Sequence, residues 1–110
     1  MIKNIKTKNA PSAPGLLSQA IEADGFVFVS GQIHKLADGG LVGETILDAA
    51  KLDFDHVVKV TVFLTDISEY SNFNGVYTSY FKKPYPAREV VCVKELPLGA
   101  DIEISLIAKK

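Results

Sequence analysis

The eight residues Val57-Val-Lys-Val-Thr-Val-Phe-Leu64 constrain the fold more than any other stretch of this chain. Their even positions, Val58, Val60, Val62 and Leu64, are all apolar, while Lys59, Thr61 and Phe63 make a mixed opposite face. A period of two describes a strand with one face packed under another element. The pattern returns at Asp101 to Ala108, where Ile102, Ile104, Leu106 and Ala108 share a face, and again at Arg88 to Lys94. Leu96-Pro97 and Gly99 fall between those last two strands and predict an antiparallel hairpin with a longer loop. Phe26-Val-Phe-Val-Ser30, bounded by Gly25 and Gly31, reads as a further strand. It follows a short first strand and an extended loop from Asn9 to Gly15 that holds Pro11 and Pro14. Asp38-Gly39-Gly40 marks a turn.

One segment has a different period. From about Glu69 to Phe81, the residues Tyr70, Phe73, Tyr77, Tyr80 and Phe81 recur at helical spacing, with Ser68 as N-cap and Pro84 beyond the end. Stripes of this kind ordinarily pack, so these aromatics are expected in the core rather than around a ligand. Strands, a weak helical segment, a strand, a helix and two strands together describe an α+β sheet with helices on one face. No repeat, linker or low-complexity tract divides the 110 residues, and residues 1–110 are read as a single domain.

Composition serves mainly to exclude. Twelve basic and thirteen acidic residues leave a net charge of -1, and no Lys/Arg run exceeds two, which argues against nucleic acid as a partner. The single cysteine, Cys92, rules out an intramolecular disulfide and a multi-cysteine metal site. His34 and His56 lack ligand spacing, so no metal is expected. No apolar run approaches the length of a membrane span, and a cytoplasmic protein is the expectation. A hydrophobic content of 47% hints at contacts between subunits.

Asp101, Glu103 and Ser105 alternate with core positions and therefore point away from the helices. In the preceding strand Val91 and Val93 are expected inside, Val90 and Cys92 outside, and Arg88 at the edge. If the hairpin pairs as predicted, Arg88 and Glu103 approach on the non-helix face. A guanidinium there can grip a carboxylate with two bonds, and a carboxylate beside it can orient a water. An ordinary surface ion pair is the plainer alternative, and periodicity alone favours it. Cys92 has no histidine near it in sequence and reads as a small buried or interface hydrophobe rather than a nucleophile. His34, near a cleft rim, and His56 read as solvated loop residues. No Ser/His/Asp set or phosphate loop can be assembled.

Several segments taken together resemble the Rid (reactive intermediate deaminase) family, also called YjgF or L-PSP. They are Asn9-Ala-Pro11 with Gly15, Val29-Ser-Gly-Gln-Ile33, Gly43-Glu-Thr45, and Val57 to Asp66; then Phe73-Asn74 with Tyr77 and Tyr80-Phe81, Tyr85-Pro-Ala-Arg88, Leu96-Pro97, and Ile102-Glu-Ile104. The resemblance implies a chorismate-mutase-like sheet in a homotrimer with a central barrel and ligand clefts between subunits. It implies hydrolytic deamination of 2-imino and enamine acids to 2-oxo acids and ammonia, without a cofactor. By the same resemblance Arg88 binds the substrate carboxylate and Glu103 positions the water. Ser30 and Gly31 form the loop that meets the substrate, and Leu17 stands in the cleft wall where many members carry a tyrosine. That matching overturns the plain ion-pair reading of Arg88 and Glu103. The cysteine that some members carry two positions after the arginine is Val90 here, so Cys92 does not inherit its role.

A further departure lies around residues 44–56. Typical members have a long helix there, whereas Gly43 to Lys51 leads almost directly into the next strand. About seven helical residues span only about 10 Å. Part of the Val58/Val60/Val62 face is therefore expected to lose its cover, so that either another element or subunit covers it or the fold is less stable than its relatives. Two rival functions share the resemblance. One is a non-catalytic metabolite-binding protein; the other is an endoribonuclease or translation inhibitor, against which the missing basic patch argues.

Overall fold

The alternating segments do form strands, and they lie in one sheet. The structure, a computed structural model, describes residues 2–34 and 44–110. The Asp38-Gly39-Gly40 turn, Gly43 and the side chain of His34 lie outside that description. Six strands, β1 (Lys3–Ile5), β2 (Ala20–Ala23), β3 (Phe26–His34), β4 (Val57–Leu64), β5 (Ala87–Cys92) and β6 (Ile102–Lys109), are ordered β1-β2-β3-β6-β4-β5. Two helices, α1 (Glu44–Ala49) and α2 (Tyr70–Tyr80), interrupt them in sequence and pack on one face. The result is the expected α+β sheet with its helices on one side.

Local chemistry sets several details. Asp24 (φ 52°) and Gly25 (φ 81°) take the left-handed conformation of a two-residue hairpin turn and join β2 to β3, a hairpin the apolar pattern alone did not announce. The third strand does not stop at Gly31. It runs on to His34 through a bulge in which Ser30 and Gly31 together stand opposite Ser105. Ser68 does not cap α2, which has no side-chain cap; the side chain of Asp66 instead caps the preceding 3₁₀ turn, Ile67–Glu69, accepting from the Ser68 backbone N–H at 3.0 Å and from its hydroxyl at 2.7 Å. A carboxylate accepts both donors at once, and its own pKa is held low by them.

The pairing of the last three strands overturns the predicted hairpin. β5 lies parallel to β4 at the edge of the sheet, and β6 is inserted between β3 and β4, antiparallel to both. The reason is burial. Ile102, Ile104, Leu106 and Ala108 are each at most 3% exposed, and such a strand is best placed at the centre. A strand joined to its predecessor through a helix, as β5 is to β4, takes the parallel crossover.

The inward face of β5 is also the reverse of that expected. Val90 packs against the core, Val91 is exposed, and Val93 falls beyond the strand. In β4 a register shift between Val57 and Lys59 turns Val57 inward and leaves Val58 exposed. The remaining core positions of β4 do not lack cover. Val60, Val62 and Leu64 are at most 1% exposed, beneath Ile46, Leu47, Ala50 and Leu52 from the α1 region and Phe73, Tyr77 and Phe81 from the α2 region. Six residues of α1 suffice because α2 brings large rings to the same layer, where Phe54 meets Tyr80 and Phe81 at 5.4 and 5.3 Å between centroids.

Candidate functional site

The expected site residues fall into two groups on opposite faces of the sheet. Arg88 is in register with Val60 and so points to the helix face, where Val60 is buried. Glu103 is in register with Phe63 and Ile33 and points to the other face. Within one chain β4 separates the two strands, and the positions are offset by three residues, about 10 Å in each direction. They do not approach each other as the hairpin would have required.

On the helix face, Arg88 lies against α2. Its Nη2 donates to Asn74 Oδ1 at 2.8 Å and to the Tyr70 hydroxyl at 3.2 Å. The guanidinium carbon stands 4.7 Å from the Tyr77 ring centroid, 5.9 Å from that of Phe73 and 5.8 Å from that of Tyr70. Residues 70, 73, 74 and 77 share one side of a helix, which is why these contacts converge. Phe73, Tyr77 and Phe81 are core, as their spacing predicts, whereas Tyr70 is 41% exposed and Tyr80 only partly buried; the stripe is at the same time a cradle for a cation. Arg88 joins none of the ion pairs among the described residues, which link His56–Asp53, Lys59–Glu89, Lys82–Asp55 and Lys110–Glu22. Its acceptors are neutral, and its charge is left for another anion. Asn74 and then Arg88 hold the Tyr70 phenol below the ordinary tyrosine range, while burial pushes Tyr77 above it.

On the other face, Glu103 lies along the backbone of Gly31, close enough that a β-carbon at residue 31 would collide with the carboxylate. The bulge at Ser30-Gly31 brings this about. Ser30 is anchored by its N–H to the Gln19 carbonyl at 2.9 Å and by its hydroxyl to the Ser18 carbonyl. Leu17, next in the chain, is half exposed and lines a cavity of about 720 Å³ with Lys6, Ala10, Pro14 and Ser18. Buried Gln19 fixes this wall: Oε1 accepts from the Thr7 N–H at 2.7 Å, and Nε2 lies 2.9–3.1 Å from the carbonyls of Thr7, Ala10 and Pro11. Ser30, Gly31 and Glu103 thus form one group, tied through the Ser18 and Gln19 carbonyls to the segment that carries Leu17, and Arg88 with α2 forms another.

Reading the sequence missed Tyr70, Asn74 and Gln19. Asn74 and Gln19 stand in polar positions beside apolar runs, a weak signal; nothing local distinguished Tyr70 from its aromatic neighbours. Cys92 is exposed in the single chain rather than buried. His56 does more than meet solvent, its Nδ1 lying 2.9 Å from Asp53 Oδ1 across a short 3₁₀ turn. Among the described residues no three His, Cys, Asp or Glu side chains gather to hold a metal ion, and no helix is long and apolar enough to cross a membrane.

Comparison with known proteins agrees with this fold. The family model described as Endoribonuclease L-PSP matches residues 7–110. A RutC family protein of Aquifex aeolicus is 40% identical over 125 residues, covering 99% of this chain and all of that one. That alignment is longer than the 110 residues of this chain, so the relative carries residues without a counterpart here. A Homo sapiens 2-iminobutanoate/2-iminopropanoate deaminase is 40% identical over 119 residues, covering 94% of this chain and 87% of its own. A solved structure of a Rid-family protein from Yersinia pestis superposes with a TM-score of 0.88 at 39% identity over the whole of both chains.

Proposed function

The chain belongs to the endoribonuclease L-PSP, or Rid, family, and from that premise we propose that it hydrolyses reactive 2-imino and enamine acids to 2-oxo acids and ammonia. The observation that carries this reading is Arg88: a guanidinium cradled by aromatic rings, anchored to neutral acceptors, and joined to no carboxylate among the described residues. Such a group is suited to a small carboxylate ligand. The deaminase name of the human relative supports the same substrate class.

Because Arg88 and Glu103 occupy opposite faces, one substrate can meet both only where two copies adjoin. The cleft therefore lies between subunits, and the family resemblance makes the assembly a homotrimer. Phe26, Phe28 and Val91 on the non-helix face are 37–44% exposed, an apolar surface suited to burial in an assembly. Arg88 of one subunit holds the substrate carboxylate and so fixes C2 of the imine beside the group of a second subunit. Glu103 there orients a water and takes its proton as the oxygen bonds to C2. The nitrogen, protonated in turn, departs as ammonia and leaves the 2-oxo acid. The 2-imino acid and water supply every atom of the products.

The test is loss of an imine generated in situ by a pyridoxal-phosphate dehydratase, followed with purified protein. Arg88→Ala should lower kcat/KM by about thirty-fold or more, and Arg88→Lys should also fail substantially because an ammonium lacks the planar fork. Light scattering should give a trimer for both. Near-normal hydrolysis by Arg88→Ala would refute the assignment. Binding of a 2-oxo acid without ammonia release would instead indicate a metabolite-binding protein, and RNA cleavage without it a ribonuclease.

A further inference from the structure

A guanidinium holds a carboxylate with two parallel bonds either end-on, through Nη1 and Nη2, or side-on, through Nε and Nη2. Both forks use Nη2. In this protein Nη2 already serves two acceptors, Asn74 Oδ1 at 2.8 Å and the Tyr70 hydroxyl at 3.2 Å. A carboxylate that arrives at either fork must therefore take the place of one of them. The amide oxygen of Asn74 has the shorter bond and can only accept. The phenol has the longer bond, can turn its own O–H outward, and belongs to a side chain 41% exposed.

We propose that Tyr70 is a substrate-binding residue: its hydroxyl releases Nη2 and donates its proton to the carboxylate that Arg88 receives. This rests on the assignment of Arg88 as the carboxylate site and extends it to a two-residue receptor, in which Asn74 keeps the guanidinium in place. The hydroxyl oxygen marks the position of a ligand oxygen until the ligand comes, and the ligand then gains a donor that Arg88 alone does not provide.

The environment of Tyr70 favours such a donor. Hydrogen bonding with Asn74 and with Arg88 holds the phenol below its ordinary pKa, which strengthens the O–H as a donor to an anion. The same shift gives the proposal a pH signature. Once the phenol ionises it can no longer donate, and its negative charge pairs with Arg88 against the incoming carboxylate. Affinity should then fall on the alkaline side, earlier than an unperturbed tyrosine would allow. Among the described residues, the charged and titratable groups nearest it are Arg88 on β5, Tyr77 on its own helix and the preceding Glu69. Burial raises Tyr77, and the Glu69 carboxylate accepts from the Asn72 amide at 3.1 Å.

Calorimetric titration of the full protein with 2-oxobutanoate, at neutral pH and through the alkaline range, tests this. Tyr70→Phe keeps the ring beside Arg88 and should weaken binding about ten-fold. Its effect on kcat/KM should lie in KM, with kcat, the assembly and the thermal midpoint unchanged. The alkaline loss of affinity should be present in the unmodified protein and absent from Tyr70→Phe. If Tyr70→Phe binds as tightly as the unmodified protein while Arg88→Ala does not, the role of Tyr70 is overturned and that of Arg88 stands. If Arg88→Ala also binds normally, both fall. Weakened binding with the alkaline loss intact would make Tyr70 a prop for Arg88 and overturn its role as donor.

Discussion

Replacing Gly31 with alanine tests the second half of the site without touching Arg88. A methyl group there would stand 2.7 Å from Glu103 Oε2, 2.9 Å from its Cδ and 3.1 Å from its Cγ. Gly31 has no positive φ, so alanine adopts the backbone without strain, and the collision with Glu103 is the main consequence. To reach ordinary contact at 3.4 Å the carboxylate must retreat by roughly 0.7 Å. A half-buried glutamate can do so by changing rotamer, so the stability cost should stay below about 1 kcal/mol. The chemistry is less tolerant, since a misplacement of about 1 Å can cost about a hundred-fold in rate. Gly31→Ala should lower kcat for imine hydrolysis about 10- to 100-fold, more than it weakens 2-oxo acid affinity, because Arg88 belongs to the other face. Glu103→Gln should do the same, and the double substitution should be no worse than Glu103→Gln alone, the signature of one shared function. Full activity in Gly31→Ala with an unchanged melting midpoint would refute the water-positioning role of Glu103.

Tyr77 carries a buried hydroxyl without a hydrogen-bond partner among the described residues. Tyr77→Phe keeps the ring 4.7 Å from Arg88 and should stabilise the protein by about 1 kcal/mol in urea denaturation. Burial raises the Tyr77 pKa from 10.0, so this group's contribution is complete below pH 10 and is lost as pH rises through the folded-state value. Alkaline destabilisation should accordingly be shallower in Tyr77→Phe, and an unchanged slope would show that other groups govern it. Phe28, 43% exposed on the non-helix face, should be needed for assembly; Phe28→Asp should yield monomers by light scattering with the strand content of the fold retained. A trimer that survives Phe28→Asp would place the interface elsewhere.

Apolar periodicity alone was enough for β3, β4, β6 and α2, though not for β2, and for the buried face of β4 from Val60 and of β6. Ile102 to Ala108 and Val60 to Leu64 bury every second residue because a half-covered strand must, and Phe73 and Tyr77 follow from helical spacing. The sequence also placed Ser30, Gly31 and Glu103 in recognisable segments. Which strands are neighbours emerges only on folding, since pairing is settled by where the most apolar strand can be buried on both edges. The order strand, helix, strand from β4 through α2 to β5 did carry a usable signal for a parallel pair. The face of Arg88 was harder, because Arg88 to Val93 lies at an edge with valines on both sides, and a shift of one residue reverses every side chain. The bulges at Ser30-Gly31 and Val57-Val58 appear only in the pairing of β3 and β4 with β6. Arg88 and Glu103 are therefore legible in the sequence as residues, but their separation by the thickness of the sheet is a property of the assembled fold.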